Sequence, residues 1–150
     1  MKKISFDFDN TIVMSYMKYD KETPIPVFQS YNDKIIKKIK KHIKNGDDIY
    51  IVTARTRSLE VHFPEQTVEY HLDKLGLKEY FWPDRVIYTD TGPKKQILTN
   101  LGVSKHYDDS IEEHFDALEA KYEIIQPLDK FKDSESVGKV VIFDKSGRIL

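Results

Sequence analysis

The chain is predicted to be an α/β protein, a parallel sheet with helices on both faces, and three features predict it. Strand-like runs alternate with helix-like runs along the 150 residues, the order expected of strands joined by helical crossovers. Ile49 to Val52 is a continuous apolar run of strand length. The helix-like runs carry apolar stripes at helical spacing and stop at Gly46, Gly76 and Gly102.

In chain order, the first strand covers Ile4 to about Phe8. Met14 to Gln29 is predicted to be irregular, a loop or small flap, because Pro24 and Pro26 discourage a helix. From Asn32 onward, Ile35, Ile36, Ile39 and Ile43 mark a helix opened by a capping Asn or Asp and closed by Asn45-Gly46. The Ile49–Val52 strand runs into Thr53-Ala-Arg55-Thr-Arg57. Val68, Leu72 and Leu75 mark a helix stopped at Gly76, and Val86 to Tyr88 makes a third strand. Pro93 suits the first turn of the next helix, whose Ile97, Leu98 and Leu101 precede Gly102.

Lys105 to Tyr107 is a weaker strand. Ser110 with Glu113 forms a capping box for a helix using Ile111, Phe115, Leu118 and Tyr122. Glu123 to Gln126 is another strand, and Val140 to Leu150 reads as a hairpin around Asp144 to Gly147. That hairpin either extends the sheet edge or mediates self-association into a homo-oligomer. Residues 129–138 are polar enough for a mobile loop. The length suits one domain over 1–150, with a core of about 1–128 and the hairpin at about 137–150.

Twenty-four basic and 25 acidic residues nearly cancel, so overall charge points neither to a nucleic-acid binder nor to an acidic tail. The absence of cysteine removes disulfides, thiolate zinc sites and thiol nucleophiles together, and is compatible with a reducing compartment. Met1 to Asp7 enters a short strand without an apolar signal core of about 7–15 residues, and no long membrane span follows. A cytoplasmic location and no membrane partner are the default expectation.

In an open parallel sheet, ligands bind beyond the carboxyl ends of the strands, so residues just after successive strands should converge. Four stations qualify: Asp7 with Asp9, Thr53, Lys94, and Asp108 with Asp109. Carboxylates can hold a hard cation, a hydroxyl can donate to a phosphate oxygen, and an ammonium can neutralise it. Together they describe a phosphate site. Alternation along an extended strand puts Asp7 and Asp9 on one side and Phe6 and Phe8 on the other. One acid can then attack phosphorus while the other moves protons to the leaving oxygen and from water. Their mutual repulsion calls for a magnesium ion or a shared proton, with Asp108 and Asp109 supplying further oxygen ligands.

These residues resemble the haloacid dehalogenase (HAD) superfamily of phosphatases. Its four motifs match Asp7-Phe-Asp9-Asn-Thr11, Thr53, Lys94 and Asp108-Asp109 in the family's order, and the likeness covers residue 4 to about 122. The resemblance implies a Rossmann-like HAD fold and a Mg²⁺-dependent phosphoric monoester hydrolase. It implies Asp7 as nucleophile, Asp9 as acid/base with its backbone carbonyl on magnesium, and Thr53 and Lys94 as phosphoryl-binding groups. Asp109 is implied as the direct metal ligand with Asp108 behind it, an assignment easily swapped; Lys95 is a rival to Lys94. Ile49 to Arg55, Thr67 to Tyr70 and His106 to Ser110 are similar to the deoxyribonucleotidase branch and to polynucleotide 3′-phosphatases. Those nucleotidases carry a small helical cap, whereas only 17 residues separate Val13 from Tyr31 here, which implies an open, capless site.

The expected substrate is therefore a nucleotide or a nucleic-acid terminal phosphate. A small phosphosugar, a phosphoprotein, or a silent binding or regulatory module are the competing readings. A phosphoacceptor receiver domain also combines acids, Thr and Lys, but its acceptor Asp follows the middle strand, and the order here rejects it. Arg55 and Arg57 are candidates for substrate binding through bidentate contacts to phosphate, or are surface residues. Lys37, Lys38, Lys40, Lys41 and Lys44 form the polar side of the first helix, and read either as a polynucleotide track or as a solvated face.

Overall fold

The computed structural model describes residues 2–109, 123–126 and 139–141. The first half comprises β1 (Lys3–Phe6), β2 (Val13–Asp20), β3 (Thr23–Tyr31), α1 (Asp33–Lys44), β4 (Asp48–Thr53) and a 3₁₀ segment, Arg57–His62. It continues through α2 (Val68–Lys74), α3 (Lys78–Phe81), β5 (Val86–Tyr88), α4 (Lys95–Leu101), β6 (Lys105–Tyr107), β7 (Glu123–Gln126) and β8 (Lys139–Val141). One sheet has the order β5-β4-β1-β6-β7-β8, and β2 and β3 form a separate ribbon. Every neighbouring pair in the large sheet is parallel except β7 with β8.

The strand order explains where a site can form. From β1 the chain moves outward to β4 and then β5, and after β5 it crosses back to β6 on the other side of β1. Crossovers between parallel strands are right-handed, so α1, α2 and α3 cover one face and the return through α4 covers the other. Burial agrees with this. Ile35, Ile39, Val68, Leu72 and Phe81 join Ile4, Phe6, Phe8, Ile49 and Ile51 in one cluster, whereas Leu98 and Val103 are buried outside it. Each fully buried side chain of this size contributes roughly 1.5–3 kcal/mol. Where the connections diverge, between β1 and β6, the carboxyl ends of the strands leave a crevice.

The apolar stripe of α1 buries Ile35, Ile36 and Ile39 as its spacing requires, and the helix ends at Asn45 before Gly46 at φ 76°. Asn32 occupies the N-cap position without a side-chain cap bond, and its Nδ2 lies buried without a partner. Pro93 stands two residues ahead of α4, whose N-cap is Lys94 rather than a residue inside the first turn.

The segment from Met14 to Gln29 departs from the expected irregular loop. It forms a regular antiparallel ribbon, Val13 pairing with Tyr31 and Asp20 with Thr23, turned by Lys21 and Glu22 at positive φ. Pro24 and Pro26 forbid a helix but not this. Being two residues apart, they place both missing N–H groups on one edge of a two-stranded ribbon, where no ladder bond is lost. β1 is also shorter than expected and stops at Phe6, because the N–H groups of Ile12 and Val13 both turn back to the Phe8 carbonyl. At the far end, β8 pairs with β7 through Val140 opposite Ile125, so the first arm of the expected hairpin extends the sheet. Its second arm, the Ser110-capped helix and the 129–138 loop lie outside the described residues. No helix among the described residues is long and apolar enough to cross a membrane.

His71 on α2 anchors the ribbon: Tyr31 Oη lies 2.9 Å from its Nδ1, and the Phe28 ring packs 5.0 Å away. Burial, with Arg55 nearby, pushes its imidazole down to about 4. The unfolded chain therefore takes up a proton that the folded chain refuses. This contribution to stability is complete above pH ~6.5 and is lost as pH falls towards about 4. Urea unfolding of the wild type and of His71→Gln across pH 4–7 should show a steeper acid loss in the wild type; parallel profiles would refute the assignment.

Candidate active site

Four of the sequence-predicted residues meet in the crevice between β1 and β6. Asp7 follows β1 directly, and its N–H donates to the Tyr107 carbonyl at 2.7 Å, which fixes the backbone against β6. Its carboxylate accepts from Lys94 Nζ at 2.7 Å and lies 3.5 Å from the Thr11 hydroxyl. Lys94 also donates to Asp108 Oδ2 at 3.0 Å. Only 3% of Lys94 is exposed, so this ammonium binds two carboxylates largely out of water. Asp109 brings a third carboxylate alongside Asp7 and Asp108. Between the two lysine candidates, Lys94 enters the cluster, while Lys95 begins α4.

Loop geometry delivers Lys94 from two strands away. After β5 the chain bonds to the loop after β4, Thr89 N–H to the Thr53 carbonyl and Thr91 N–H to the Ala54 carbonyl at 2.8 and 2.7 Å. Asp90 and Thr91 both take positive φ, an unfavourable conformation for a β-branched threonine that the zipped loops hold in place. Gly92 closes the turn, and a Cβ there would meet the Thr89 carbonyl at 2.8 Å.

Burial and mutual repulsion set the electrostatics. Desolvation first, and then the Asp108 charge, raise the Asp7 carboxyl well above its ordinary range despite Lys94. Asp109 is raised by burial as well. For Lys94 burial opposes the charge, yet Asp7 and Asp108 outweigh it and hold the ammonium above its usual range. The ligand oxygens of Asp7, Asp108 and Asp109 lie within 4.8 Å of one another. One ammonium cannot balance three carboxylates, and an all-oxygen donor set suits a hard divalent cation.

The remaining predicted residues are placed differently. Thr53 ends β4, buried beside β1, and its hydroxyl accepts the Arg55 N–H at 3.3 Å. Asp9 does not share the Asp7 cluster. Its two oxygens accept Arg55 Nε and Nη2, both at 2.8 Å, and Oδ1 also accepts the Ser15 hydroxyl at 3.1 Å. The alternation argument fails here because the chain leaves the extended conformation after Phe6, with Asn10 at φ 61°. Arg55 is largely buried and held by protein partners, although it lines the cavity beside Asp9. Its Nη1 donates to Glu60 Oε2 at 3.1 Å and to the Gln66 carbonyl at 2.7 Å, and its plane lies over Phe8 and Phe63. Arg57 stacks instead on Trp82 and Tyr88.

Two site residues carried no predicted role. His106 is fully buried, with Nδ1 2.7 Å from Ser5 Oγ and Nε2 2.8 Å from Asp108 Oδ2. An ionised carboxylate only accepts, so Nε2 carries the proton and Ser5 donates to Nδ1. The signal available was the period of two from His106 to Asp108. Glu60, buried, accepts from Arg55, the Val68 N–H and Tyr88 Oη; no sequence motif marks it. Beside Asp9 and Arg55 a cavity of about 260 Å³ opens, walled by Met17, Pro24 and Pro26 of the ribbon and by Leu59 and Phe63.

Arg55 thus neutralises two carboxylates, and its removal leaves both without a countercharge. Arg55→Met should lower unfolding free energy by about 3–5 kcal/mol, whereas Arg57→Ala should cost no more than about 1 kcal/mol. Urea denaturation measures both, and equal effects would contradict the buried arrangement.

No family model and no solved structure matches the chain. Over 114 residues, 73% of its length, it is 31% identical to an uncharacterized protein of Acanthamoeba polyphaga mimivirus, of which the match covers 22%. The chain therefore spans about a fifth of the length of that relative.

Proposed function

We propose that the chain is a HAD-type, Mg²⁺-dependent phosphomonoesterase acting through an aspartyl-phosphate on Asp7. The observation that carries this reading is the buried Asp7–Lys94–Asp108 bridge at the crevice between β1 and β6, with Asp109 alongside. A carboxylate there is an anchored nucleophile, since its backbone is fixed to β6 and its side chain to Lys94. The ammonium that holds Asp7 also stands where it neutralises phosphate oxygens drawn to that carboxylate. Thr53, at the end of the neighbouring strand β4, would donate its hydroxyl to the same group. Asp7, Asp108 and Asp109, with the Asp9 backbone carbonyl, would hold magnesium, which when bound neutralises the carboxylates and the phosphoryl charge.

Asp9 is the residue assigned to proton transfer, and in this role its carboxyl turns from Arg55 towards the leaving oxygen. Water attack on the phosphorus of the aspartyl-phosphate then returns Asp7 and releases phosphate, with Asp9 taking the water proton. The apolar cavity beside Asp9 supports a leaving group with a flat, weakly polar body, such as a nucleoside.

Hydrolysis of an aryl phosphate with Mg²⁺ should be abolished in Asp7→Asn and lowered by about 10²–10⁴-fold in Asp9→Asn. Chelator should remove it in the wild type. Full turnover by pure Asp7→Asn protein would sink the mechanism, and a folded wild type inert towards aryl, nucleotide, sugar and peptide phosphates would identify a silent module instead.

A further inference from the structure

The face of α1 turned away from the core is almost wholly basic. Behind it Ile35, Ile36 and Ile39 are buried, while Lys34, Lys37, Lys40, Lys41 and Lys44 are exposed and Lys38 is half-buried. Asp33 is the only acid in the helix. Lys34, Lys37, Lys38 and Lys41 share one shallow groove at i, i+3, i+4 and i+7. Like charges at these spacings repel, each pair costing about 0.2–0.5 kcal/mol, and no acid within the helix body offsets them. A chain with net charge −1 has therefore concentrated positive charge on one stripe, at some cost to the helix.

The stripe has a direction. The helix begins beside the Asp7 loop, where the Asn32 N–H donates to the Ile12 carbonyl at 2.9 Å. It ends by the amino-terminal ends of β1 and β6, where Lys38 and Lys41 share a second depression with Lys2, Lys105 and a single acid, Asp47. At 1.5 Å per residue, Lys34 to Lys44 extends about 15 Å. That length matches on the order of four phosphates of one nucleic-acid strand.

A second observation lies on the ribbon that leads into α1. Its exposed large side chains are Tyr16, Met17 and Tyr19, all on β2. Tyr19 pairs with Pro24 and Met17 with Pro26, so Tyr19 lies on the ribbon face that walls the cavity beside Asp9. A basic track joined to an exposed aromatic is the combination that binds single-stranded nucleic acid, phosphates on the cations and a base on the ring. A membrane surface fits less well, since the apolar side of α1 is spent in the core.

We propose that the α1 lysine face and Tyr19 bind a single nucleic-acid strand, presenting its phosphorylated end to the Asp7 crevice. The strand's role as substrate rests on the phosphatase reading; binding does not. Fluorescence anisotropy with a labelled single-stranded oligonucleotide, in chelator and over a salt series, reads binding without turnover. Aryl phosphate hydrolysis with Mg²⁺ is measured on the same proteins.

The wild type should bind with steep salt dependence. Lys37→Glu/Lys38→Glu/Lys41→Glu should weaken binding at least tenfold and reduce the log–log salt slope by about 2, at about 0.7 per lost phosphate contact. Tyr19→Ala should weaken it about 5- to 100-fold. Aryl phosphate turnover should be unchanged in both, which also shows that they fold. Equal binding by wild type and triple variant, no binding by wild type at low salt, or tighter binding to phosphatidylserine vesicles would overturn the proposal. Binding as expected without any phosphatase activity would support it and refute the phosphatase reading alone.

Discussion

The site depends on one buried ammonium. Lys94 bonds to Asp7 and Asp108, which arrive from neighbouring strands β1 and β6, so its charge joins the two walls of the crevice. Burying three charges carries a desolvation penalty of several kcal/mol per ion, which attraction offsets only when geometry is good and other donors are satisfied. Here they are: Asp7 has the Thr11 hydroxyl close by, and Asp108 has His106, itself bonded to Ser5. A chain of hydrogen bonds thus runs from Ser5 on β1 through His106 and Asp108 to Lys94 and back to Asp7. Such an arrangement holds the side chains in a fixed relation.

Around this bridge the fold supplies position rather than chemistry. β1 is flanked by strands whose connections run in opposite directions, and that reversal opens the sheet at the carboxyl end of β1. The loop after β5 carries Lys94 across from two strands away and is held by backbone bonds to the loop after β4. Backbone strain at Asp90 and Thr91 is tolerated where it aims a buried cation.

Next to the bridge lies a second charge cluster of different character. Arg55 ties Asp9, Glu60 and the Gln66 carbonyl together, and Gln66 in turn accepts the Phe28 N–H of the ribbon at 3.0 Å. The ribbon is therefore coupled to the Asp9 carboxylate, both through Arg55 and through Ser15.

Much of the architecture was legible in the residues themselves. Apolar periods of 3.6 located α1, α2 and α4, and the apolar runs of β4 and β5 were found to within a residue or two, because burial of these side chains demands those patterns. The ribbon was not legible, since prolines at a period of two exclude a helix without announcing a strand. For the site, the residues following successive strands identified Asp7, Lys94, Asp108 and Asp109 as neighbours, because a parallel sheet gathers its carboxyl ends on one edge. Which lysine enters, that Asp9 turns to Arg55, and that His106 and Glu60 support the charges were decided only in three dimensions. Sequence periodicity states which side of an element a residue occupies; which buried charge finds which partner depends on how separate elements dock, and docking is a property of the whole fold.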